Sequence, residues 1–373
     1  MMTKKKNLTF IFSGGRKNRI YQDKVYAKDF FYGYFGFSED DYNSKIIEFE
    51  HTKVFLIKSL DRIIKKLTNF PIALSSLFNK PFKQQVKNSE IIFLVNESVM
   101  FYSLPFVYFL KKRKKETKII LFTMGLFSNF SENKLKHRLQ RLVIEKICLK
   151  TIDDLLFLGE GEYEHVLSIY KSYANKFHLV PFGVDTDFWK NESEYVQASK
   201  EYILFIGNDL NRDYEFLKEL VKNMEDYNFV FLTSRLNEDD INTKNVEIHE
   251  GMWWNNKLSD DVIKNLYKKA YLTIIPLKNT LQPSGQSVAL QSMSLGTPVL
   301  ITKTIGFWDK NKYENDKNIF FMDQNDVTLW KDKIVNLLLN DKKMIEVSKN
   351  GKKLVSENFN LELFTSRIKE III

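Results

Sequence analysis

The sequence has very little cysteine and no recognisable secretion signal. Cys148 is the one cysteine among 373 residues, so the chain cannot form an internal disulfide. Residues 1–6 are a short basic lead, and no apolar run long enough for export precedes Gly14. Exported domains usually carry disulfides or a signal peptide, so the two absences predict a protein of the reducing cytoplasm.

Long hydrophobic runs are also missing. Residues 91–110 come nearest to the length of a membrane span, but Asn96, Glu97 and Pro105 interrupt them. A strand over 91–95, a polar turn and a helix from Ser98 explain the segment better than a membrane-spanning helix does.

Acidic residues are scarce in the first half of the chain. Residues 1–185 hold 31 Lys and Arg against 19 Asp and Glu, with basic clusters at 111–115 and 134–146. Such a surface attracts anionic lipid, nucleic acid or a phosphorylated substrate, and a solvated, lysine-rich helix end is the plain alternative. Zinc-ligand spacing and the common DNA- and RNA-binding motifs are missing from the sequence, so nucleic acid is not a predicted partner.

Buried strands alternate with helices along the whole sequence, a pattern typical of parallel sheets covered on both faces. A chain of this length, with 44% hydrophobic residues, is expected to form two cores. The predicted strands are 8–12, 45–48, 91–95, 119–123, 155–158 and 177–180, then 202–206, 229–232, 246–249, 272–275, 299–301 and 319–321. The sequence therefore predicts two α/β domains, joined through the polar segment 190–200.

The most informative segment, residues 282–302, reads QPSGQSVALQSMSLGTPVLIT. Pro283, Ser284 and Gly285 break the backbone before a helix, Gly296 ends that helix, and a buried strand follows. The N–H groups and the dipole at the start of such a helix favour an anion such as a diphosphate. The helix end and strand taken alone fit any α/β protein. The prediction of an anion site therefore depends on the break at residues 283–285 and on the helix start that follows it.

Ser-Gly-Gln-Ser joined to Leu-Gln-Ser-Met-Ser-Leu-Gly-Thr-Pro-Val resembles the nucleotide-sugar site of retaining glycosyltransferases of the group 1 type, family four. Similar segments are 180–189, where these enzymes leave their first domain, and 205–214, their glycine loop with a phosphate-binding cation. Residues 248–251 are similar to the strand before their base-binding backbone. The resemblance covers residues 120 to 373 well and the first 120 in outline.

The resemblance implies the GT-B fold, in which two Rossmann-like domains with parallel sheets face each other across a central cleft. It assigns residues 1–185 to an acceptor domain, 186–355 to a nucleotide-sugar domain, and 356–373 to a helix that crosses back to the first domain. Ligands of open α/β sheets lie beyond the carboxyl ends of the strands, so the loops there are expected to hold the functional residues.

Donor binding is expected at nine residues. They are Gly207, Asn208, Arg212, Met252, Ser284, Gly285, Gln286, Ser287 and Gln291. Arg212 and Gln286 are the predicted catalytic residues. Negative charge develops on the diphosphate as the sugar leaves, so a planar cation and fixed N–H donors there lower the barrier without a metal or other cofactor. Asp185 and Asp187 have a metal-like spacing, but turn chemistry explains them better.

Two departures distinguish this chain from the family pattern. Where relatives carry two glutamates seven residues apart, this sequence has Pro283 or a neighbour and Gln291, whose amide can still reach ribose hydroxyls. Where many relatives carry a histidine, it has Met124 and Gly125. No catalytic base is assigned, because the leaving phosphate can take the acceptor proton on the same face.

Candidates for the acceptor side or the cleft are Gly14, Gly15, Glu97, Gly125 and Glu160. Each also has an ordinary interpretation: a tight turn for the glycines, a surface acid for Glu97, and a first-turn helix acid for Glu160. Glu162 lies in the same loop after the strand 155–158 and has the same two interpretations. We predict retaining transfer from a nucleoside diphosphate sugar to a glycan or lipid-linked acceptor in cell-surface polysaccharide or glycolipid synthesis, at the inner face of an anionic membrane. The alternatives are a non-catalytic nucleotide-sugar-binding subunit and a nucleotide-sugar epimerase of similar fold.

Overall fold

The computed structural model describes residues 5–21, 25–37, 41–49, 55–128, 130–251 and 258–372. These residues form two compact units. The N-terminal unit comprises Met1–Asp23, Phe31–Leu158 and Glu162–Val180, and the C-terminal unit comprises Lys24–Phe30, Gly159–Gly161 and Pro181–Ile373. Two short segments from the first half of the sequence therefore belong to the C-terminal unit.

The N-terminal unit is built on a six-stranded parallel sheet. Its strands are β1 (Lys6–Phe12), β2 (Tyr42–Glu48), β3 (Ile91–Leu94), β4 (Lys118–Thr123), β5 (Asp154–Phe157) and β6 (Phe177–Leu179), in the order β2-β1-β3-β4-β5-β6. The central strands are buried along their length, as strands covered on both faces must be.

Helices cover this sheet. They are α1 (Arg16–Tyr21), α2 (Phe55–Thr68), α3 (Lys80–Val86), α4 (Glu97–Arg113), α5 (Lys134–Val143), α6 (Leu149–Thr151) and α7 (Glu160–Ile169), with a π-helical turn at Ile144–Cys148 between α5 and α6. Asn96 begins α4 because its side chain accepts a hydrogen bond from the N–H of Val99.

The C-terminal unit repeats this architecture. Its strands are β7 (Tyr202–Ile206), β8 (Phe229–Leu232), β9 (Val246–His249), β10 (Ala270–Ile275), β11 (Val299–Thr302) and β12 (Phe320–Met322), all parallel and ordered β12-β11-β10-β7-β8-β9. This is the doubly wound order of nucleotide-binding sheets. The order in which the strands are added reverses between β7 and β10, although all the strands are parallel.

Seven helices belong to the C-terminal unit within the described residues. They are α8 (Tyr214–Lys222), α9 (Glu238–Ile241), α10 (Asp260–Lys269), α11 (Gln286–Ser294), α12 (Val327–Leu338), α13 (Asp341–Asn358) and α14 (Leu361–Ile372). Ser259 caps α10 by accepting from the N–H of Val262. The unit's core includes Phe205, Phe231 and Trp330, all completely buried.

The twelve predicted strands all occur, and the segment 91–110 forms β3 and most of α4, as predicted. Helices α2 and α3 were not predicted, because the first 120 residues carry fewer recognisable motifs. The predicted return of the last helix to the first domain stays a prediction.

Candidate functional site

The candidate donor site lies where the second sheet reverses its strand order. Strands β7 and β10 are neighbours there, and the loops at their carboxyl ends, 207–213 and 276–285, follow from adjacent strands. A crevice outside the carboxyl ends at such a point is the usual ligand site of an open α/β sheet.

Backbone and side-chain hydrogen bonds join the two loops. The N–H of Lys278 donates to the carbonyl of Asn211 at 2.8 Å, and the N–H of Asp213 donates to the carbonyl of Pro276 at 3.1 Å. The Asn211 amide also donates to Gln282 at 2.9 Å and to the Ser284 hydroxyl at 2.8 Å. The loop after β7 therefore fixes the segment that leads into α11.

Arg212 is the buried cation of this site, with 2% of its surface exposed. Its Nη1 lies 3.0 Å from Oδ2 of Asp209, an ion pair that lacks hydrogen-bond alignment. Among the described residues, neither Nε nor Nη1 has a hydrogen-bond partner. A buried guanidinium with unused N–H groups is costly, so its burial favours a site that receives an anion.

Gly207 and Gly285 leave room for that guanidinium. A Cβ on Gly207 would lie 2.5 Å from Nε of Arg212. A Cβ on Gly285 would lie 3.6 Å from Nη1 of Arg212, but only 2.8 Å from Cγ2 of Ile275. The cation is therefore next to the first residue before α11.

The start of α11 has the backbone geometry of an anion site. Gly285 has φ 83° and ψ −10°, a left-handed conformation that glycine adopts without strain, and no side chain caps the helix. Ser284 and Gln286 are buried, while Ser287 is half-buried. The N-terminal N–H groups and the helix dipole add to the field of Arg212.

Asn208, predicted to contact the donor, is occupied by the protein. Its Nδ2 donates to the carbonyl of Gly251 at 2.6 Å, and its Oδ1 accepts from the N–H of Ser234 at 2.7 Å and from its hydroxyl at 2.9 Å. The side chain thereby ties together the loops that follow β7, β8 and β9. Met252, the neighbouring predicted contact, lies outside the described residues.

Gln291 is buried and its amide is also engaged. Its Oε1 accepts from the hydroxyl of Tyr267 at 3.1 Å, and its Nε2 donates to Oδ2 of Asp29 at 2.7 Å. A glutamate at this position would place a second carboxylate against Asp29. The predicted contact of Gln291 with ribose stays a prediction.

Asp29 was not predicted from the sequence. It belongs to the segment Lys24–Phe30 of the C-terminal unit, is completely buried, and accepts from Nε1 of Trp189 at 2.7 Å and from the N–H of Asp185 at 2.5 Å. Burial raises its pKa to about 7, although the hydrogen bonds from Asp185, Gln291 and Trp189 oppose the shift. No local signal marks this residue, because its partners are far away in the sequence.

The N-terminal unit places its candidates at the equivalent point of the first sheet. That sheet reverses order between β1 and β3, after which Gly14, Gly15 and Glu97 follow, and Gly125 follows the adjacent β4. Oε1 of Glu97 accepts from the N–H of Met124. Burial raises the pKa of Glu97.

Glu162, which the sequence singled out together with Glu160 as a candidate for a loop lining the cleft, completes this group. Its carboxylate accepts from the N–H of Gly125 at 2.8 Å and of Phe127 at 2.9 Å. Burial, and then the nearby charge of Glu97, raise the pKa of Glu162 to about 8. The turn after β4 is therefore held by the buried Glu162 and the half-buried Glu97.

Glu160 begins α7 but belongs to the C-terminal unit. Its N–H donates to the carbonyl of Trp308 at 3.1 Å, and its Oε2 accepts from the N–H of Lys310 at 2.7 Å. These bonds attach it to the segment after β11, and its role in a cleft stays a prediction.

The described residues show neither a metal-ligand cluster nor a membrane-spanning helix. No group of three or more His, Cys, Asp or Glu there could hold a metal ion. No helix within the described ranges has both the length and the apolar character to cross a membrane.

Comparisons with known proteins now give the class. Residues 190–354 match the family model described as Glycosyl transferases group 1. Solved structures with the same fold include a glycosyltransferase from Rickettsia africae ESF-5 (14% identity, 99% of this chain and 98% of that chain, TM-score 0.63). They also include Anabaena Alr3699/HepE in complex with UDP-glucose (11%, 98% and 99%, 0.65) and the sucrose-phosphate synthase of Thermosynechococcus elongatus (13%, 99% and 98%, 0.66). A search of curated proteins found no match.

The fold and the matched domain define a glycosyltransferase of the GT-B type. Its C-terminal unit carries a group 1 glycosyl transferase domain, within which Arg212 and α11 lie. The predicted pair of Rossmann-like parallel sheets and the predicted enzyme class are confirmed.

Proposed function

We propose that the protein is a retaining glycosyltransferase that uses a nucleoside diphosphate sugar and transfers the sugar to a glycan or lipid-linked acceptor. The reaction would serve cell-surface polysaccharide or glycolipid synthesis, in the cytoplasm at the inner face of the membrane. The single cysteine and the basic first half of the sequence support that location.

One observation carries the donor assignment: the buried guanidinium of Arg212 lies beside Gly285 at the start of α11. The two features attract the same ligand, because a guanidinium and a helix N-terminus both bind phosphate oxygens. The diphosphate is therefore placed between Arg212 and the N–H groups of Gln286 and Ser287.

This placement explains how the chain would accelerate transfer. The bond between the anomeric carbon and the diphosphate breaks, and negative charge grows on the leaving oxygen. Arg212 and the α11 N–H groups are held in position before the reaction, so they stabilise this charge without reorganising. The leaving phosphate then accepts the acceptor's proton on the same face, which gives retention without a protein nucleophile. A metal is not needed to neutralise the diphosphate.

The nucleotide proposed for the first experiments is UDP. Alr3699/HepE, a structure of similar fold, is described in complexes with UDP-glucose and with UDP. Uridine diphosphate sugars are therefore the first donors to offer.

Calorimetric titration of UDP into the Arg212→Ala variant tests the proposal. Hydrogen bonds to charged groups contribute about 1.5–3 kcal/mol each, so loss of a two-pronged contact should weaken binding by about 100-fold or more. Arg212→Lys keeps the charge but loses the planar fork, so we expect a loss of about tenfold.

Arg235→Ala is the matched control. Arg235 belongs to the same unit, is exposed, and donates from Nε to the carbonyl of Asn208 at 3.0 Å. Its variant should bind UDP within about threefold of the wild type. Equal UDP affinity of the wild type and Arg212→Ala, with both folded by circular dichroism, would show that the phosphates bind elsewhere.

The lack of the family's paired glutamates, at Pro283 or a neighbour and at Gln291, supports the rival proposal of a non-catalytic nucleotide-sugar-binding subunit. Donor-dependent release of nucleotide, measured across donors and acceptors, separates the two proposals. Tight donor binding without release in any combination supports the rival.

A further inference from the structure

Helix α2 exposes a continuous stripe of large apolar side chains. The exposed fractions are 74% for Leu56, 51% for Leu60, 55% for Ile63 and 55% for Leu67. Their spacings of four, three and four residues place them along one line of the helix. We call these four residues the α2 seam.

The seam is not the side by which α2 attaches to its own unit. Ile57 and Ile64, about a quarter turn away, are half-buried, as is Asp61 between them. Oδ1 of Asp61 accepts from the N–H of Leu74 at 2.8 Å, which marks the attached side. Only part of the apolar surface of the helix is therefore covered by protein.

The exposed polar side of α2 is cationic. Lys58, Arg62, Lys65 and Lys66 are exposed, and none of them makes an ion pair within the described part of the chain. The helix contains one acid, Asp61, which already serves as an acceptor on the attached side. An apolar stripe on one side and a cation-rich polar face on the other is the pattern of a helix that lies in a membrane interface.

The neighbouring helix α5 extends the surface. It packs beside α2, and its Leu135 and Leu142 are exposed. Lys134 and Arg138 are exposed on the same helix. Next to α2, helix α5 therefore offers exposed apolar side chains for insertion and exposed cations for anionic headgroups.

We infer that the α2 seam, with Leu135 and Leu142 of α5, docks the enzyme onto an anionic lipid bilayer. This inference deepens the proposed function, on which its placing of the enzyme at a membrane rests. A second copy of the chain is a poorer occupant, because it offers the same apolar and cationic surface and no anions for the exposed cations of α2. Anionic headgroups neutralise the same cations while the seam enters the acyl boundary.

The inference moves the membrane contact away from the cluster at 111–115. Nζ of Lys111 pairs with Oδ2 of Asp153 at 2.7 Å and also donates to the carbonyl of Thr117. Nζ of Lys114 donates to the carbonyl of Lys87 at 2.8 Å. Two of the five cations in that cluster are therefore already used within the protein.

Vesicle sedimentation with the full chain tests the inference. The variant is Leu60→Ser with Ile63→Ser, and the control is Leu339→Ser with Ile345→Ser, which removes two exposed apolar side chains from the C-terminal unit. On phosphatidylglycerol vesicles we expect the seam variant to partition about tenfold more weakly than the wild type and the control to be unchanged. On phosphatidylcholine vesicles the wild type should bind much more weakly than on phosphatidylglycerol.

Equal partitioning of the seam variant and the wild type would overturn the inference. So would a change in oligomeric mass by sedimentation equilibrium without a change in vesicle binding, which would show that a second copy occupies the seam. UDP affinity is measured on the same samples and should not change. A wild type that binds vesicles through the seam but neither binds nor turns over a donor would contradict the proposed function while leaving the docking surface intact.

Discussion

The two sheets of this protein share a layout but differ in the charge they bury at the point where the strand order reverses. The C-terminal unit buries a cation there, Arg212, beside a helix start that Gly285 leaves uncapped. The N-terminal unit holds two carboxyl groups there, the half-buried Glu97 and the buried Glu162, around the turn that follows β4. The same kind of sheet therefore supports one site with a fixed positive charge and one with titratable carboxyl groups.

The difference separates a permanent charge from a titratable one. A guanidinium stays charged throughout the physiological pH range, which suits a ligand that is always anionic. The carboxyl pair gains and loses protons, because burial raises the pKa of both groups and brings that of Glu162 to about 8. We therefore expect nucleotide binding to depend little on pH and the stability of the N-terminal unit to depend on it strongly.

The largest effect is expected when the backbone at the start of α11 is disturbed. Gly285→Ala places a side chain in a left-handed conformation and 2.8 Å from Ile275. Strain and overpacking each cost about 1–3 kcal/mol, so we expect a loss of about 2–4 kcal/mol in unfolding free energy and at least tenfold weaker UDP binding. Urea denaturation and calorimetric titration measure the two effects.

Gly14→Ala is the matched variant in the N-terminal unit. Gly14 also has a positive φ, 150°, but a Cβ there would meet nothing within 4 Å. It should therefore lose stability through backbone strain alone, about 1–2 kcal/mol, and keep its UDP affinity. Similar UDP affinities in the two alanine variants would contradict the placement of the diphosphate at α11.

Local patterns predicted the C-terminal unit closely and the N-terminal unit less well. Strands β7, β8 and β9 occur with the predicted bounds, and β7 and β8 are compact apolar runs between polar turns. Arg212 was proposed from the resemblance of residues 205–214 to a family loop and Gly285 from the break before a helix, and the structure places the two side by side.

What the sequence did not reveal depends on contacts between distant residues. Asp29 reaches Gln291 across 262 positions. Glu162 was a candidate from the sequence, but its contact with Gly125, 37 positions away, was not predicted. For helix α2, which lies where the sequence carries few recognisable motifs, the sequence also could not show that the most regular apolar stripe faces outward. Periodicity identifies an apolar face but not what covers that face.

The second prediction concerns pH and the carboxyl pair. Glu162 has a pKa of about 8 when folded and an ordinary value of 4.5 when unfolded. Between these values the folded chain holds a proton that the unfolded chain has released, so stability falls as pH rises through this window. Glu162→Gln removes this dependence, and its unfolding free energy relative to the wild type should rise by about 3 kcal/mol between pH 5.5 and 8.5.

At pH 5.5 the glutamine variant should be the less stable chain, because an amide nitrogen cannot accept the N–H bond that the carboxyl oxygen accepts. Asp29 also has a raised pKa, but it is present in both chains and cancels in the difference. Glu164→Gln, an exposed change on the same helix, is the control. Parallel stability curves for the wild type and Glu162→Gln would show that Glu162 does not carry the pH dependence.

The smallest effect is expected from Asp209→Asn, which tests whether Asp209 competes with the ligand for Arg212. Asp209 is its ion-pair partner, and 37% of the Asp209 side chain is exposed, so solvent screens the pair and its contribution is small, about 0.2–1 kcal/mol. Asp209→Asn keeps the oxygen that accepts from the N–H of Asn211 at 2.9 Å but removes the competing charge. We expect UDP to bind about two- to threefold more tightly, because phosphate no longer displaces a carboxylate.

Glu215→Gln, which removes an exposed acid from the same unit, controls for net charge. If Asp209→Asn weakens UDP binding, Asp209 orients Arg212 for the phosphate instead of competing with it. The C-terminal site would then depend on a carboxylate as well as on a cation.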